Sequence, residues 1–357
     1  MPSRASAAKL PKAYEEDHRA KARPVPVEEH FINLEGAQPS PIMLGFQKFW
    51  RRLMGLVKLS LVLAVLGAYP AAAIFSSKIN DHPVAFPQNE SWSVAGVGVA
   101  IHKIARELEG AGWAADRPDW HPQSRLTALP AWQEATASAL SEHVALLAGI
   151  ASATNQPDGD LAAAARLLMA VEGEDMRPRL TAAAEALNRF DTRASRGLAL
   201  RPSPEEILPR EMALFAEWAG EGRAALSDRI NAEQSAWPAS KEDITAFYTA
   251  KAHAHLAHEL ILAAKARAYG ITGDAELAVA LARAEAAWGR AAELKPFFVS
   301  NLSGSGAVLP NHLASMAYYL VEAEDASAFL AAKLAPPVVE DASVGDVAQT
   351  GEEPQLP

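Results

Sequence analysis

Apolar residues recur at spacings of three and four positions through residues 79–335. This spacing places them on one face of an α-helix, whereas the alternation typical of strands is almost absent. The pattern predicts an all-α fold, a multi-helix bundle, with helices over residues 94–109, 131–151, 158–172, 178–198, 204–235, 240–270, 274–293 and 311–333. A solenoid of helical hairpins is the alternative, although no repeat of about 34 residues runs through this region.

Two of these helices carry recognisable start signals. Ser240 can cap its helix together with Asp243, three residues further on, as in a capping box. Asn311 can cap the last helix through its side-chain oxygen. Both residues predict where a helix begins.

A continuous apolar run, Leu53–Phe75, stands apart from the periodic helices. Its 23 residues reach about 34 Å as a helix, enough to cross a hydrocarbon core of ~30 Å. Leu66 lies well inside the run, Lys58 can extend its ammonium group to the headgroups, and Pro70 is tolerated near an interface. The run predicts a membrane anchor. A buried core helix and a cleaved signal peptide are the alternatives, and the 57 residues before Lys58 disfavour the signal peptide.

Basic residues are distributed unevenly about this run. Residues 1–58 hold ten Lys and Arg against six Asp and Glu, whereas the rest of the chain holds 23 against 37. Four basic residues lie between Lys48 and Lys58, and Lys78 alone closely follows the run. Positive charge marks the cytoplasmic side of a membrane helix. The charges therefore predict a single-pass protein with a cytoplasmic N-terminus and its large C-terminal part across the membrane, which for a bacterial inner membrane is the periplasm.

These patterns divide the chain into four regions. Residues 1–45 are rich in proline and mixed charge, which predicts a flexible cytoplasmic tail. Residues 46–76 form the anchor with its aromatic lead-in, and residues 79–335 form the all-α periplasmic domain. Residues 336–357 contain five acidic residues and no basic one, which predicts a disordered acidic tail. Partner binding by that tail is the alternative.

The composition excludes several kinds of chemistry. The 357 residues include no Cys, which rules out disulfides, thiolate metal sites, Cys nucleophiles and iron–sulfur clusters. The net charge of −10 argues against nucleic acid as a partner. The sequence requires no cofactor and identifies no specific reaction.

The densest group of titratable residues lies on the helix that begins near Ser240. His255, His258 and Glu259 fall on one helical face, while His253 points to the other side. One hypothesis is a metal site formed by His255 with Glu259, or by His255 with His258, and a third ligand such as His312. The His-Glu-x-x-His spacing of metalloproteases is absent. The other is a set of neutral buried imidazoles that bond to Glu259 and neighbouring groups, or a pH-sensitive switch.

Two non-helical segments complete the candidate sites. Residues 299–312 combine Ser, Gly and Asn before the last helix, so Asn311 and its neighbours can hold an anion or a partner, or simply close the loop. Residues 112–132 carry Trp113, Trp120 and Trp132 beside several prolines. These rings stiffen the connection by packing, and Trp120 is the candidate for stacking on a glycan.

Three features resemble one known family: the anchor, Gly112-Trp113 with Asp119-Trp120, and Val299-Ser300-Asn301 with Pro310-Asn311-His312-Leu313-Ala314-Ser315-Met316. They are similar to the proteobacterial inner-membrane family numbered 2333 among the domains of unknown function. The resemblance covers residues 45–333. It implies a bacterial membrane protein and brings no catalytic residues with it.

Together these patterns favour a non-enzymatic envelope scaffold or interaction module. Its contacts would be the lipid bilayer and an envelope protein, because an anchor raises the effective concentration of neighbouring partners. The alternative is a metal-dependent enzyme or binding protein that uses the His and Glu cluster.

Overall fold

The structure is a computed structural model. It describes residues 41–76, 78–82, 92–109, 112–152, 156–232, 239–267, 274–302 and 310–335. Within these residues the chain forms nine α-helices and no strand, which confirms the predicted all-α class. The helices are α1 Pro41–Ser76, α2 Ala95–Glu109, α3 Ala128–Ile150, α4 Gly159–Leu168, α5 Met176–Ser195, α6 Pro204–Ile230, α7 Lys241–Arg267, α8 Ala275–Glu293 and α9 His312–Leu334.

Side-chain caps set several of the helix boundaries. α4 begins at Gly159 because the Asp158 carboxylate accepts hydrogen bonds from the backbone N–H groups of the next turn. α4 ends at Leu168, earlier than predicted, and the turn that follows it contains Gly173 at φ 81°. α6 likewise ends at Ile230 rather than near residue 235.

Both predicted start signals are confirmed. The Asp243 N–H donates to Ser240 Oγ at 3.0 Å, and the Ser240 N–H donates to Asp243 Oδ2 at 3.1 Å, which completes a capping box at the start of α7. Arg229, in the last turn of α6, donates to both of these side chains. At α9, the Asn311 side chain accepts from the Ala314 N–H at 3.0 Å.

The core of the domain is built around α7. α7 contacts α2, α3, α6, α8 and α9, and α6 packs along α9. Large aromatic side chains fill the space between these helices, and Ala provides close contacts elsewhere. The largest fully buried apolar side chains are Trp132, Trp218, Trp288, Phe190, Phe215 and Phe247.

The helix α1 contains the predicted anchor and its lead-in, residues 46–76, and begins at Pro41, so that residues 41–45 of the predicted flexible tail are helical. The chain divides into two compact units, and the division falls within α1, between Leu63 and Ala64. No helix within the described residues is long and apolar enough to span a membrane. Part of the predicted span, residues 68–75 with Pro70 and Phe75, lies outside the residues whose side chains are described. The acidic tail at 336–357 and residues 1–40 of the N-terminal tail also lie outside the described residues.

Candidate functional site

A group of buried charged side chains lies where α2, α3 and α7 meet. We call it the ionic cluster and define it by Lys103, Arg106, Glu107, Trp132, His255 and Glu259. Lys103 is fully buried, Glu107 and Glu259 are nearly so, and the Arg106 side chain is 17% exposed. Because two cations face two carboxylates, the formal charges of the cluster cancel.

Helical spacing on two elements builds this cluster. His255 and Glu259 stand four residues apart on α7, and Nδ1 of His255 lies 3.5 Å from Oε1 of Glu259. From α2, Lys103 Nζ approaches His255 Nδ1 to 3.2 Å and Glu259 Oε2 to 4.0 Å. Arg106, one helical turn further, donates to Glu259 Oε1. The Glu259 carboxylate therefore joins both cations of α2 to α7.

The electrostatics of the cluster follow from burial and from its close charge pairs. Burial by itself raises the pKa of Glu259, but the charge of Lys103, the contact with His255 and the charge of Arg106 lower it to about 2. Burial lowers the pKa of Lys103, and the charge of Glu259 opposes that shift. Burial and the charge of Lys103 lower the pKa of His255. A neutral His255 beside an ionised Glu259 is the arrangement that these shifts favour.

The indole of Trp132 covers the other side of Lys103. The ammonium lies 4.8 Å from the centre of the Trp132 ring, within the range of a cation–π contact. The indole N–H donates to Glu107 Oε1 at 3.0 Å, and Gln133 donates to the same carboxylate. Gln133 also holds the connection that precedes α3, because it bonds to the Gly112 carbonyl and the Ala114 N–H.

The ionic cluster also holds the segment that follows α1. We call residues Lys78–His82 the linker segment. Asp81 bridges Lys251 Nζ at 2.5 Å and Lys295 Nζ at 3.1 Å, and Arg106 donates to the His82 carbonyl at 3.1 Å. Ile79 packs against Trp132 and its neighbours. The linker segment is thus fixed to α2, α7 and the end of α8.

The linker contact is strongly electrostatic. Lys251 is only 2% exposed, so Asp81 neutralises a cation that water hardly reaches. Burial raises the pKa of Asp81, but hydrogen bonds and charge from Lys251 and Lys295 outweigh that effect and lower it. Burial lowers the pKa of Lys251 while Asp81 opposes the shift. Removal of Asp81 would leave the buried ammonium without its counter-ion.

The four residues of the hypothetical metal site do not converge. His255 and Glu259 face α2, as described above. His258 packs against α8, where a Cβ on Gly289 would lie 3.2 Å from its Nε2. His312 bonds to Ser300 at the start of α9. Among the described residues, no group of three or more His, Asp or Glu side chains is arranged to hold a metal ion.

The remaining candidates serve the local structure or stay exposed. His253 points away from the cluster, as predicted, and stacks on Trp218 at 5.2 Å. Asn311 caps α9 and donates to Asn301, which in turn donates to the Arg229 carbonyl at the end of α6. Gly304 and Gly306 of the same loop lie outside the described residues.

The three tryptophans of the 112–132 connection have different surroundings. Trp113 and Trp132 are buried, whereas Trp120 is 73% exposed. The Trp120 ring lies 5.9 Å from that of His121. The stiffening role fits the two buried rings, and Trp120 remains open to a stacking contact, which stays a prediction.

Sequence reasoning missed Lys103, Arg106 and Asp81. One signal was available for α2, because Lys103 and Glu107 fall at the same helical spacing as the buried Val97, Ala100 and Ile104. Charged residues at core spacing indicate a buried ion pair. No comparable signal marks Asp81, because its partners lie 170 and more residues away.

A second buried pair lies beside α6. His143 Nε2 is 2.8 Å from Glu211 Oε1, and both side chains are almost completely buried. Glu211 also lines a cavity of about 70 Å³, together with Val94, Ile207 and Leu260. The cavity has room for a few water-sized molecules. We assign this pair to the packing of α3 against α6.

The chain was compared with protein families, curated proteins and solved structures. No family model matches the chain, and no curated protein or solved structure matches it. The resemblance to the inner-membrane family numbered 2333 therefore stays a prediction.

Proposed function

We propose that the chain is a single-pass inner-membrane protein with a cytoplasmic N-terminus and an all-α domain in the periplasm. The domain acts as an envelope interaction module rather than as an enzyme. This proposal agrees with the charge distribution about α1 and with the resemblance to the inner-membrane family numbered 2333.

The observation that carries the proposal is the exposure of α1. Every residue from Gly45 to Ala64 is exposed, although most of them are apolar. The exposed large apolar side chains from Leu53 onward are Leu53, Met54, Leu56, Val57, Leu59, Leu61, Val62, Leu63 and Leu66. Burial of each stabilises by about 1.5–3 kcal/mol relative to water. Such a helix requires an apolar environment, and a bilayer supplies one on all sides.

The ionic cluster has a structural role in this proposal. Its cations pair with its carboxylates, and Arg106 also bonds to the linker segment, whose Asp81 pairs with Lys251 outside the cluster. These contacts fix the linker segment on the surface of the domain.

One face of α9 supports a protein partner. Tyr318, Val321 and Phe329 are exposed, and their spacing places them within one quadrant of the helix. Exposed apolar patches of this kind mark interaction surfaces more often than catalytic sites.

The anchor is tested with a charge inside the predicted span. Leu63 lies near the centre of the span. At such a position an Arg raises the free energy of membrane insertion by about 2.5–3.5 kcal/mol, so Leu63→Arg should weaken insertion. We expect this variant to be extracted from membranes by carbonate, whereas Leu63→Ala and the unchanged chain stay in the pellet. Equal extraction of the unchanged chain would refute the anchor.

The orientation is tested by labelling single cysteines, since the chain has none of its own. A membrane-impermeant maleimide added to intact spheroplasts should label Val279→Cys, a position 70% exposed in the domain. It should not label Ser6→Cys until the membrane is broken. The reverse pattern would contradict the proposed orientation.

The interaction module is tested by crosslinking in cells. A photo-crosslinking residue at Tyr318 on α9 should capture the same envelope protein in repeated experiments, and one at Val279 on α8 should not. Capture of nothing above background at Tyr318 would favour a stand-alone enzyme or receptor.

A further inference from the structure

The loop after α8 exposes an aromatic side chain to an unusual degree. Phe297 is 99% exposed, and its ring lies 5.8 Å from that of Phe298. Pro296 precedes the pair and restricts the backbone of the loop. Phe298 is 40% exposed as well, so the two rings form a small exposed aromatic surface, and aromatic side chains are enriched at membrane–water interfaces.

The same loop is tied to the segment that follows α1. Lys295, two residues before Phe297, pairs with Asp81 of the linker segment at 3.1 Å. Asp81 is five residues past Ser76, the last residue of α1, and five residues span at most about 18 Å of extended chain. The connection from the end of the proposed anchor to Phe297 is therefore short. It consists of the five residues to Asp81, the ion pair with Lys295 and two further residues.

Basic residues accompany the aromatic side chain. The Lys295 side chain pairs with Asp81 but is still 42% exposed, and Lys78 at the start of the linker segment is exposed as well. The whole sequence after residue 58 has 37 acidic residues against 23 basic ones. Exposed lysines on the loop and on the linker segment paired with it, together with an exposed aromatic ring, are the composition of a membrane-interface contact.

We propose that Phe297 inserts into the interface of the same membrane that holds α1, with Lys295 and Lys78 facing anionic lipid headgroups. This inference rests on the proposed anchor. The contact gives the domain a second attachment beside the linker segment, and it orients the domain on the bilayer surface. The occupant is lipid rather than a protein, because only five residues and one ion pair separate the loop from the last residue of α1.

The experiment uses spin-labelled single cysteines in the full chain, which has no other cysteine. The chain is reconstituted into vesicles of phosphatidylethanolamine and anionic phosphatidylglycerol without other proteins. Phe297→Cys reports on the loop, Leu61→Cys on the proposed anchor, and the exposed Val279→Cys on the domain surface. Collision of each nitroxide with oxygen, which concentrates in lipid, is compared with its collision with a water-soluble nickel complex.

We expect the oxygen-to-nickel ratio at position 297 to exceed that at 279 severalfold and to approach that at 61. In vesicles of neutral phosphatidylcholine the ratio at 297 should fall while that at 61 stays high. A ratio at 297 equal to that at 279, with 61 still shielded, overturns this inference and leaves the anchor standing. Water access at 61 overturns both.

A protein occupant would give a different result. In that case position 297 is shielded in native membranes but open in protein-free vesicles, which also overturns the inference. Because Phe297 makes no buried contact, the cysteine variant should keep the thermal unfolding midpoint of the unchanged chain.

Discussion

His253 is expected to make the domain less stable as the pH falls from 7 to 5. Its imidazole is 8% exposed and stacks on Trp218, and its Nδ1 has no hydrogen-bond partner among the described residues. Burial lowers its pKa to about 4, and the charge of Glu142 opposes the shift only weakly. The matched variant is His253→Phe, which keeps an aromatic ring on Trp218 and removes the titrating group.

The magnitude follows from the difference between the folded and unfolded pKa values. In the unfolded chain the pKa is near its ordinary 6.5, so the unfolded state binds a proton between pH 6.5 and 4 while the folded state does not. Stability is therefore full above the unfolded value and is lost as the pH falls toward 4. Each pKa unit corresponds to about 1.36 kcal/mol, so the 1.5 units between 6.5 and 5 remove roughly 2 kcal/mol at pH 5.

The assay is urea unfolding of the full chain in detergent, followed by tryptophan fluorescence at pH 7 and pH 5. Other histidines, including His255 and His258, titrate in both proteins, so the comparison isolates His253. The unchanged chain should lose roughly 2 kcal/mol more than His253→Phe between the two pH values. In thermal unfolding this difference corresponds to a shift of roughly 4–8 °C for a domain of this size.

Two results would refute this reasoning. If both proteins lose the same stability between pH 7 and pH 5, the imidazole is not held neutral by burial. If the unchanged chain gains stability on acidification relative to the variant, the pKa is raised rather than lowered, which would place an unseen carboxylate beside the ring.

Four further predictions concern stability, and each is measured by thermal and urea unfolding of the full chain. Gly96→Ala should destabilise by roughly 1–3 kcal/mol, because a Cβ there would lie 2.6 Å from Cε1 of the buried His143. Gly149→Ala should stabilise by about 0.5–1 kcal/mol, because no atom lies within 4 Å of the new Cβ on this helix. Ser240→Ala should cost about 1 kcal/mol through loss of the capping box. Asp81→Asn should cost about 3 kcal/mol, because it leaves a buried ammonium on α7 without its counter-ion.

Each of these predictions has an outcome that contradicts it. Equal effects of Gly96→Ala and Gly149→Ala would show that the close packing around Gly96 does not decide whether alanine stabilises or destabilises the domain. A neutral Ser240→Ala would mean that Asp243 alone caps α7. The control for Asp81→Asn is Asp228→Asn. Because Asp228 is exposed, this change should alter the free energy of unfolding by less than about 0.5 kcal/mol.

The sequence by itself determined most of the local structure. Helical periodicity placed the helices after α1 within a few residues of their positions, although α4 ends at Leu168 and α6 at Ile230, earlier than predicted. Caps such as Ser240 with Asp243, and Asn311, were readable because their partners lie three residues away. The pairing of His255 with Glu259 was readable for the same reason, since one helical turn fixes it.

Only the tertiary structure decided which charges meet. Lys103 reaches His255 across 152 residues, and Lys251 reaches Asp81 across 170. Such contacts depend on how two helices are rotated and shifted against each other, which the packing of many apolar side chains sets jointly. The same rotation separates His258 and His312 from His255, because each faces a different neighbour. The helical periodicity of the sequence determines which residues share a face, but the packing of the helices determines what that face contacts.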